Sequence, residues 1–265
     1  MSKTGSIGIF DSGVGGLTVA RAIKSLLPNE KLIYFGDTLH LPYGDKSPES
    51  ITRYSLAISD FLIQKECKVI VIACNSASAS AYHPIREKYG DQLPIINVIA
   101  PMVDYVREHF SGEPVGVIGT KATVKSKVYQ DQLRDFASCQ ALMTPLLAPL
   151  IEEGFAGSEI SEQAIKHYLS QPDLEGIKAL ILGCTHYPLL VDEIKTYYQG
   201  KTEVLDSSHM VASALQKMLE EHDLSADGKN AAKDEFYVSD HTLAFQEITR
   251  LFFGEEIQLK LEKLS

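Results

Sequence analysis

Two cysteines have the residue type and placement needed to move protons. Cys74 follows the apolar run Val69–Ala73, and Cys184 comes shortly after a second run, Leu180–Leu182. Each is followed by residues that suit the first turn of a helix. There, free backbone N–H groups and the helix dipole stabilise a thiolate and lower its pKa from a reference of about 8.5. Because a thiolate accepts a proton and a thiol donates one, both cysteines are candidate acids and bases.

An internal repeat places these cysteines at equivalent positions. Residues 71–76, with Cys74 fourth, resemble residues 181–186, with Cys184 fourth, at an offset of 110. Residues 7–12 resemble residues 115–120 at an offset of 108, and a looser match joins 98–101 to 204–207 at an offset of 106. Three matches at nearly one offset predict a duplicated unit. Two units facing each other would place one cysteine on each wall of a cleft, as two-sided proton transfer requires.

Short apolar runs predict the elements that position the cysteines. Each run ends at a small or polar residue and precedes a longer amphipathic stretch, which is typical of strands buried on both faces of a parallel sheet. Ligands of such sheets bind at the carboxyl ends of the strands. We therefore predict an α/β fold of two similar parallel-sheet αβα domains, related by a pseudo-twofold axis, with the active site in the cleft between them. The predicted strands are residues 7–10, 32–35, 69–73, 95–100, 115–118, 180–182 and 204–205.

Composition and charge exclude several classes of protein. The 265 residues carry a formal net charge of −10, which argues against a surface for nucleic acid or anionic membrane, since both need clustered Lys and Arg. The N-terminus lacks the apolar core of a signal peptide, and no run approaches the ~18 apolar residues of a membrane span. We predict a cytoplasmic protein. Its four cysteines are expected to be free thiols, with Cys67, before its strand, and Cys139, in a predicted turn, in structural roles.

The glycine-rich segment Asp11–Gly16 follows the first predicted strand. A dinucleotide-binding fingerprint would need a third glycine at position 18, where Thr18 stands. We interpret the glycines as a tight turn that presents N–H groups to an anion, with Asp11 and Ser12 at the strand end. Asp11 could bind a substrate ammonium, orient a thiol, or serve only as a turn residue.

Further polar residues lie near the other predicted strand ends. Pro42–Gly44 predict a turn whose tyrosine hydroxyl and backbone N–H face the cleft, or else a plain surface turn. His186 could tune Cys184; a zinc site is disfavoured because no further Cys or His has the usual spacing. Glu153 is a weaker candidate for a functional residue, since adjacent glutamates are often found at the start of a solvent-exposed helix. Neutral donors rather than Lys or Arg surround the cysteines, which suits binding of carboxylates.

Seven motifs are distributed along nearly the whole chain, at residues 9–18, 34–37, 42–44, 73–76, 182–188, 236–240 and 252–254. Together these motifs resemble those of the bacterial glutamate racemases, in the aspartate/glutamate racemase family. Serine at position 76 keeps the hydroxyl of the threonine common there in the family.

This resemblance implies interconversion of L- and D-glutamate for peptidoglycan synthesis, without pyridoxal phosphate, other cofactor or metal, in an enzyme that is often a homodimer. It implies a domain of residues 1–97 and 208–265 carrying Cys74, and an inserted domain of residues 98–207 carrying Cys184. Cys184 would act on the L-enantiomer and Cys74 on the D-enantiomer. Asp11, Glu153 and His186 would assist the cysteines. The implied substrate-binding residues are Asp11, Ser12, Pro42, Tyr43, Gly44, Asn75, Ser76, Thr120, Thr185 and His186.

Three other functions remain open on the sequence. A racemase for another amino acid, such as aspartate, would share the paired cysteines. A non-catalytic amino-acid-binding protein could use the same cleft without moving a proton. A thiol hydrolase with a Cys-His pair would leave the second cysteine of the repeat unexplained.

Overall fold

Parallel strands form two separate sheets in the computed structural model, which describes residues 3–227 and 233–264. The first sheet has the strand order β10-β9-β2-β1-β3-β4, and the second has the order β6-β5-β7-β8. The strands are β1 Ser6–Asp11, β2 Leu32–Gly36, β3 Cys67–Ile72, β4 Ile95–Asn97, β5 Pro114–Gly119, β6 Ser138–Met143, β7 Ala179–Gly183, β8 Glu203–Leu205, β9 Glu235–Val238 and β10 Leu259–Leu261.

Helices connect successive strands and cover the sheets. Short 3₁₀ helices at Thr38–His40, Tyr43–Asp45, Pro172–Leu174 and Tyr187–Leu190 add single turns between them. The α-helices are α1 Leu17–Leu26, α2 Pro48–Gln64, α3 Asn75–Tyr89, α4 Ala100–His109, α5 Lys121–Lys125, α6 Val128–Leu133, α7 Leu147–Glu152, α8 Glu159–Leu169, α9 Val191–Tyr198, α10 Ser207–Glu221 and α11 Leu243–Phe253.

The order of the strands follows the repeat seen in the sequence. The run β2-β1-β3-β4 and the run β6-β5-β7-β8 have the same order, and every neighbouring pair is parallel. The two stronger repeat matches fall on β1 with β5 and on β3 with β7. The predicted α/β class with two parallel sheets is confirmed. Strands β9 and β10 extend the first sheet beyond β2.

The third repeat match is out of register with the strands. Strand β4 ends at Asn97, whose side-chain oxygen accepts the N–H groups of Ile99 and Ala100 at 2.8 Å each. Residues 98–101 therefore lead into α4, whereas Val204 lies within β8. The run predicted as one strand, residues 95–100, is apolar except for Asn97; its first half is strand and its second half leads into the helix.

Strand β6 was not predicted, because none of its residues is fully buried and it carries polar residues at its start, so its sequence lacks the uniformly apolar pattern of a buried strand. Cys139 lies within this edge strand rather than in a turn, and Cys67 is the first residue of β3 rather than a residue before it. None of the helices in the described part of the chain could span a membrane.

A buried ion pair fastens the first sheet to the chain that follows α10. Lys68 Nζ lies 2.6 Å from Glu30 Oε2, and both side chains are almost fully buried. The same ammonium donates to the Leu224 carbonyl at 2.7 Å, and Glu30 Oε1 accepts the Ala226 N–H at 2.8 Å. Each charge is therefore compensated by its partner and by backbone groups.

Replacing Lys68 with methionine is expected to lower the free energy of unfolding by about 3–5 kcal/mol, because Glu30 would stay buried without its counter-charge. The matched control is Lys88→Met, which removes an ion pair to Asp60 in which both side chains are about half exposed. That change should cost less than about 1 kcal/mol. Urea unfolding measures both. Equal losses in the two variants would contradict the assignment of a stabilising role to the buried pair.

Candidate active site

A cavity of about 150 Å³ lies where residues that follow strands of both sheets meet. Cys74 lines it from the end of β3, and Cys184 lines it from the end of β7, the corresponding strand of the second sheet. Other predicted site residues on its wall are Ser12, Pro42, Tyr43, Gly44, Asn75, Ser76, Thr120, Thr185 and His186. The structure thus brings both cysteines and nine of the remaining predicted residues to one cavity.

Cys74 is the N-cap residue of α3. Its sulfur accepts the Ala77 N–H at 3.4 Å and lies 3.6 Å from the Ser12 hydroxyl oxygen. Burial, reinforced by the negative charge of Asp11, raises the pKa of Cys74, and the hydrogen bonds from Ala77 and Ser12 only partly oppose the rise. The expected lowering by the helix N-terminus is therefore outweighed. Cys74 is a neutral thiol at pH 7.

Asp11 lies behind Cys74 rather than on the cavity wall. It is fully buried, and its Oδ2 accepts the N–H groups of Gly13 at 3.1 Å and Gly16 at 3.0 Å. The glycine-rich turn thus binds an anion, as its sequence indicates, but that anion is the chain's own carboxylate. Asp11 is placed to act on Cys74 electrostatically, and the structure does not bring it to the cavity as a substrate contact.

Cys184, His186 and Glu152 form a line on the other wall. His186 Nδ1 lies 3.7 Å from the Cys184 sulfur, and its Nε2 lies 2.8 Å from Glu152 Oε1. Burial lowers the pKa of His186, but the hydrogen bonds and negative charges of Cys184 and Glu152 outweigh burial and raise it to about 10. The ring is therefore an imidazolium at neutral pH, with one N–H directed to each partner.

The glutamate in this line is Glu152, not Glu153 as predicted. Glu152 ends α7 and lines the cavity, whereas Glu153 follows the helix and is not among the lining residues. Two adjacent glutamates look alike in the sequence, and only the turn of α7 decides which one faces inward. Leu41, Ala148 and Pro149 also line the cavity and were not predicted, since they carry no chemical signal.

The Glu152→Gln variant should lower the pKa of His186 from about 10 towards its ordinary 6.5, because it removes the negative charge of Glu152 beside the ring. The chemical shift of the His186 ring proton, followed by NMR across pH, measures this change. The neighbouring variant Glu153→Gln should leave the titration unchanged. A shift of equal size in both variants would contradict the pairing of His186 with Glu152.

Neutral hydrogen-bonding groups complete the cavity. Asn75 Oδ1 accepts from the Tyr129 hydroxyl at 2.8 Å, while its buried Nδ2 has no hydrogen-bond partner among the residues that the structure describes. The Ser76 and Thr120 hydroxyl oxygens, one from each repeat, are 2.9 Å apart. No Lys or Arg lines the cavity among the described residues. Because these donors are uncharged, they can hold a small anionic molecule without neutralising a nearby thiolate.

The Leu41–Gly44 segment forms the wall beside Thr120. A side chain at Gly44 would place its Cβ 2.8 Å from the Thr120 Cβ, so glycine permits this close approach. The Tyr43 hydroxyl donates to Asp37 Oδ2 at 2.6 Å, so it points to a protein carboxylate rather than into the cleft as expected. Tyr43 therefore forms part of the cavity wall, but its hydroxyl is already bonded to Asp37.

Two other functional readings of the sequence find no support in this geometry. Within residues 3–227 and 233–264, no group of three or more His, Cys, Asp or Glu side chains could hold a metal ion. Thr18, at the position of the third dinucleotide-motif glycine, donates to the carbonyls of Gly15 at 2.9 Å and Thr185 at 3.1 Å. It therefore ties the turn to the wall that carries Cys184.

The chain matches known racemases over nearly its whole length. Residues 15–215 match the family model described as Asp/Glu/Hydantoin racemase. The chain is 40% identical over 263 residues to the glutamate racemase of Persephonella marina, covering 98% of each chain, and 39% identical over 257 residues to that of Aquifex aeolicus, covering 96% of each. The solved glutamate racemase from Francisella tularensis, in complex with D-glutamate, matches with a TM-score of 0.91 and 36% identity over 99% of this chain and 98% of that one. The chain therefore belongs to the Asp/Glu/hydantoin racemase family.

Proposed function

We propose that this protein is a glutamate racemase that interconverts L- and D-glutamate with Cys74 and Cys184 as the two proton-transfer groups. The observation that carries the proposal is that both thiols, from equivalent strands of the repeat, line one cavity. The choice of substrate rests on the relatives, which are glutamate racemases, and on the Francisella tularensis structure, which holds D-glutamate.

Starting from L-glutamate, the Cys184 thiolate takes the α-proton and the Cys74 thiol gives its proton to the opposite face of the same carbon. Cys184 is then a thiol and Cys74 a thiolate, which is the starting state for the reverse reaction. Exchange of protons with solvent restores the first state. Cys74 suits the role of initial donor because its raised pKa keeps it protonated, and the His186 imidazolium beside Cys184 can balance a negative charge there.

The α-proton of an amino acid is a very weak acid, so the cavity must stabilise the carbanion as it forms. Charge that develops on the α-carboxylate can be met by preorganised donors, chiefly the unpaired Asn75 amide and the hydroxyls of Ser76 and Thr185. The buried surroundings exclude water and strengthen each of these interactions. Binding of the substrate in a fixed orientation between the two thiols lowers the barrier further.

The proposed chemistry needs no cofactor or metal, because each step moves only protons between carbon and sulfur. A pyridoxal phosphate mechanism would need a lysine in the cavity, and none of the described lining residues is a lysine. We further propose that the D-glutamate supplies peptidoglycan synthesis in the cytoplasm, that the protein is a homodimer, and that the domains are residues 1–97 with 208–265 and residues 98–207.

The test is incubation of dialysed, chelator-treated protein with L-glutamate or L-aspartate, followed by circular dichroism. The proposal expects the signal of L-glutamate to fall to zero and that of L-aspartate to change little. Loss of the aspartate signal alone would replace glutamate by aspartate as substrate. Binding of glutamate without entry of solvent deuterium at the α-carbon would make the protein a non-catalytic binding protein.

A further inference from the structure

Asp37 is a buried carboxylate that the proposed proton transfers do not use. It follows β2 and is only 2% exposed. It accepts hydrogen bonds from the Tyr43 hydroxyl at 2.6 Å, the Ser239 hydroxyl at 2.7 Å and His40 Nδ1 at 2.9 Å. A buried charge is retained only where donors compensate it, and here three side chains do so, two from the segment after β2 and one from the segment after β9.

Through Tyr43, Asp37 is connected to the cavity wall. Tyr43 is buried, and burial together with Asp37 raises its pKa, so its hydroxyl remains a neutral donor to the carboxylate. Leu41, Pro42 and Gly44, on either side of Tyr43, also line the cavity. The position of Tyr43 therefore sets the position of this whole wall.

Through Ser239, Asp37 is connected to the C-terminal part of the first sheet. Ser239 follows β9, and its hydroxyl oxygen also accepts the Leu39 N–H at 2.9 Å. Next to it, the Asp240 N–H donates to the Thr38 hydroxyl oxygen at 2.9 Å. The residues between β2 and the wall are thus held against the end of β9, and Asp37 is the point where both attachments meet.

We infer that Asp37 is a positioning residue that holds Tyr43, and with it the Leu41–Gly44 wall, in the arrangement that binds the substrate. The inference rests on the proposed function. It explains what determines the affinity for the substrate on this side of the cavity. It also assigns a role to two motifs, residues 34–37 and 236–240, that the proton transfer leaves unexplained. Asp37 acts only through the wall, since it is not among the residues lining the cavity.

Steady-state kinetics with L-glutamate tests the inference in three variants: Asp37→Asn, Tyr43→Phe and the double variant. The asparagine keeps the size of Asp37 but has one acceptor oxygen instead of two and no charge. Loss of a charge-assisted hydrogen bond is expected to raise KM about tenfold and to change kcat less than about threefold. Because both substitutions break the same link, the double variant should be no worse than about twofold beyond the weaker-binding single variant.

Asp234→Asn is the matched control, because Asp234 bonds to the opposite end of β2. Its Oδ1 accepts the Leu32 N–H at 2.9 Å and Lys24 Nζ at 3.1 Å, so it is a structural carboxylate remote from the cavity. It should lower the melting temperature without changing KM.

A KM within about twofold of wild type in Asp37→Asn would show that Asp37 is only a structural residue and would overturn the inference. An increase in the KM of the double variant equal to the product of the increases in the two single variants would also overturn it. If the wild-type protein does not racemise glutamate, the proposed function fails first and the inference falls with it. The two failures are therefore distinguished by the wild-type assay.

Discussion

Replacing Cys184 or Cys74 with alanine is expected to lower kcat for glutamate racemisation by about 10³-fold or more, because each variant lacks the acid or the base on one face of the α-carbon. Free L- and D-glutamate have equal energies, so kcat/KM must be the same in the two directions for any variant. The alanine variants should therefore lose activity equally from either enantiomer. Circular dichroism with each enantiomer as substrate, and glutamate binding by calorimetry, separate lost chemistry from lost binding.

The other two cysteines provide the controls. Cys67 is buried at the start of β3 and Cys139 is partly buried in β6, and neither lines the cavity. Cys67→Ala and Cys139→Ala should keep kcat within about twofold of wild type, with a cost only in stability of the kind expected for small cavities. Near-native turnover in Cys74→Ala or Cys184→Ala would show that the two-thiol assignment is wrong.

Replacing Gly15 with alanine is expected to lower kcat about 100-fold. The new Cβ would lie 2.4 Å from His186 Nδ1, 2.5 Å from its Cε1 and 2.7 Å from the Thr185 hydroxyl oxygen, so these groups must move. His186 has little room to do so, because Glu152 bonds its far nitrogen at 2.8 Å and the Phe252 ring packs edge-on at a centroid distance of 5.1 Å. A misplacement of about 1 Å in a catalytic group costs about two orders of magnitude in rate.

Gly116→Ala separates this effect from a general loss of stability. Gly116 lies in β5, and its added Cβ would meet the tips of Ile177 at 2.7 Å and Leu174 at 2.8 Å, which are flexible side chains outside the cavity. This variant should be less stable than wild type but equally active per folded molecule. Wild-type kcat in Gly15→Ala would mean that the position of His186 does not matter to the reaction.

The sequence was most informative where chemistry and periodicity coincide. Cys74 and Cys184 stand out because each ends a run of buried-strand residues at one repeat offset, and β3 and β7 do occupy equivalent places in the two sheets. Buried parallel strands have uniformly apolar sequences, so they are readily recognised. The edge strand β6, in which no residue is fully buried, gives no such signal and was missed.

Side-chain environment was predicted less well, because it depends on contacts between distant parts of the chain. The placement of Cys74 at a helix N-terminus predicted a lowered pKa, but burial and Asp11, 63 positions earlier in the chain, dominate. The choice of Glu152 over Glu153 depends on how one short helix turns towards His186. The Tyr43 hydroxyl was expected in the cleft, and its actual acceptor, Asp37, is evident only from the folded turn.

The central claim, transfer by two opposed thiols, is tested most directly by racemisation of L-glutamate in D2O, stopped at low conversion. Mass spectrometry of the separated enantiomers then gives the isotope at each α-carbon. A two-thiol reaction predicts that the D-glutamate formed carries one deuterium, because its proton comes from the second, solvent-equilibrated thiol, while the remaining L-glutamate keeps its original hydrogen. D-glutamate that retains the substrate's own α-hydrogen would mean that a single group carries the proton across, and would contradict the account.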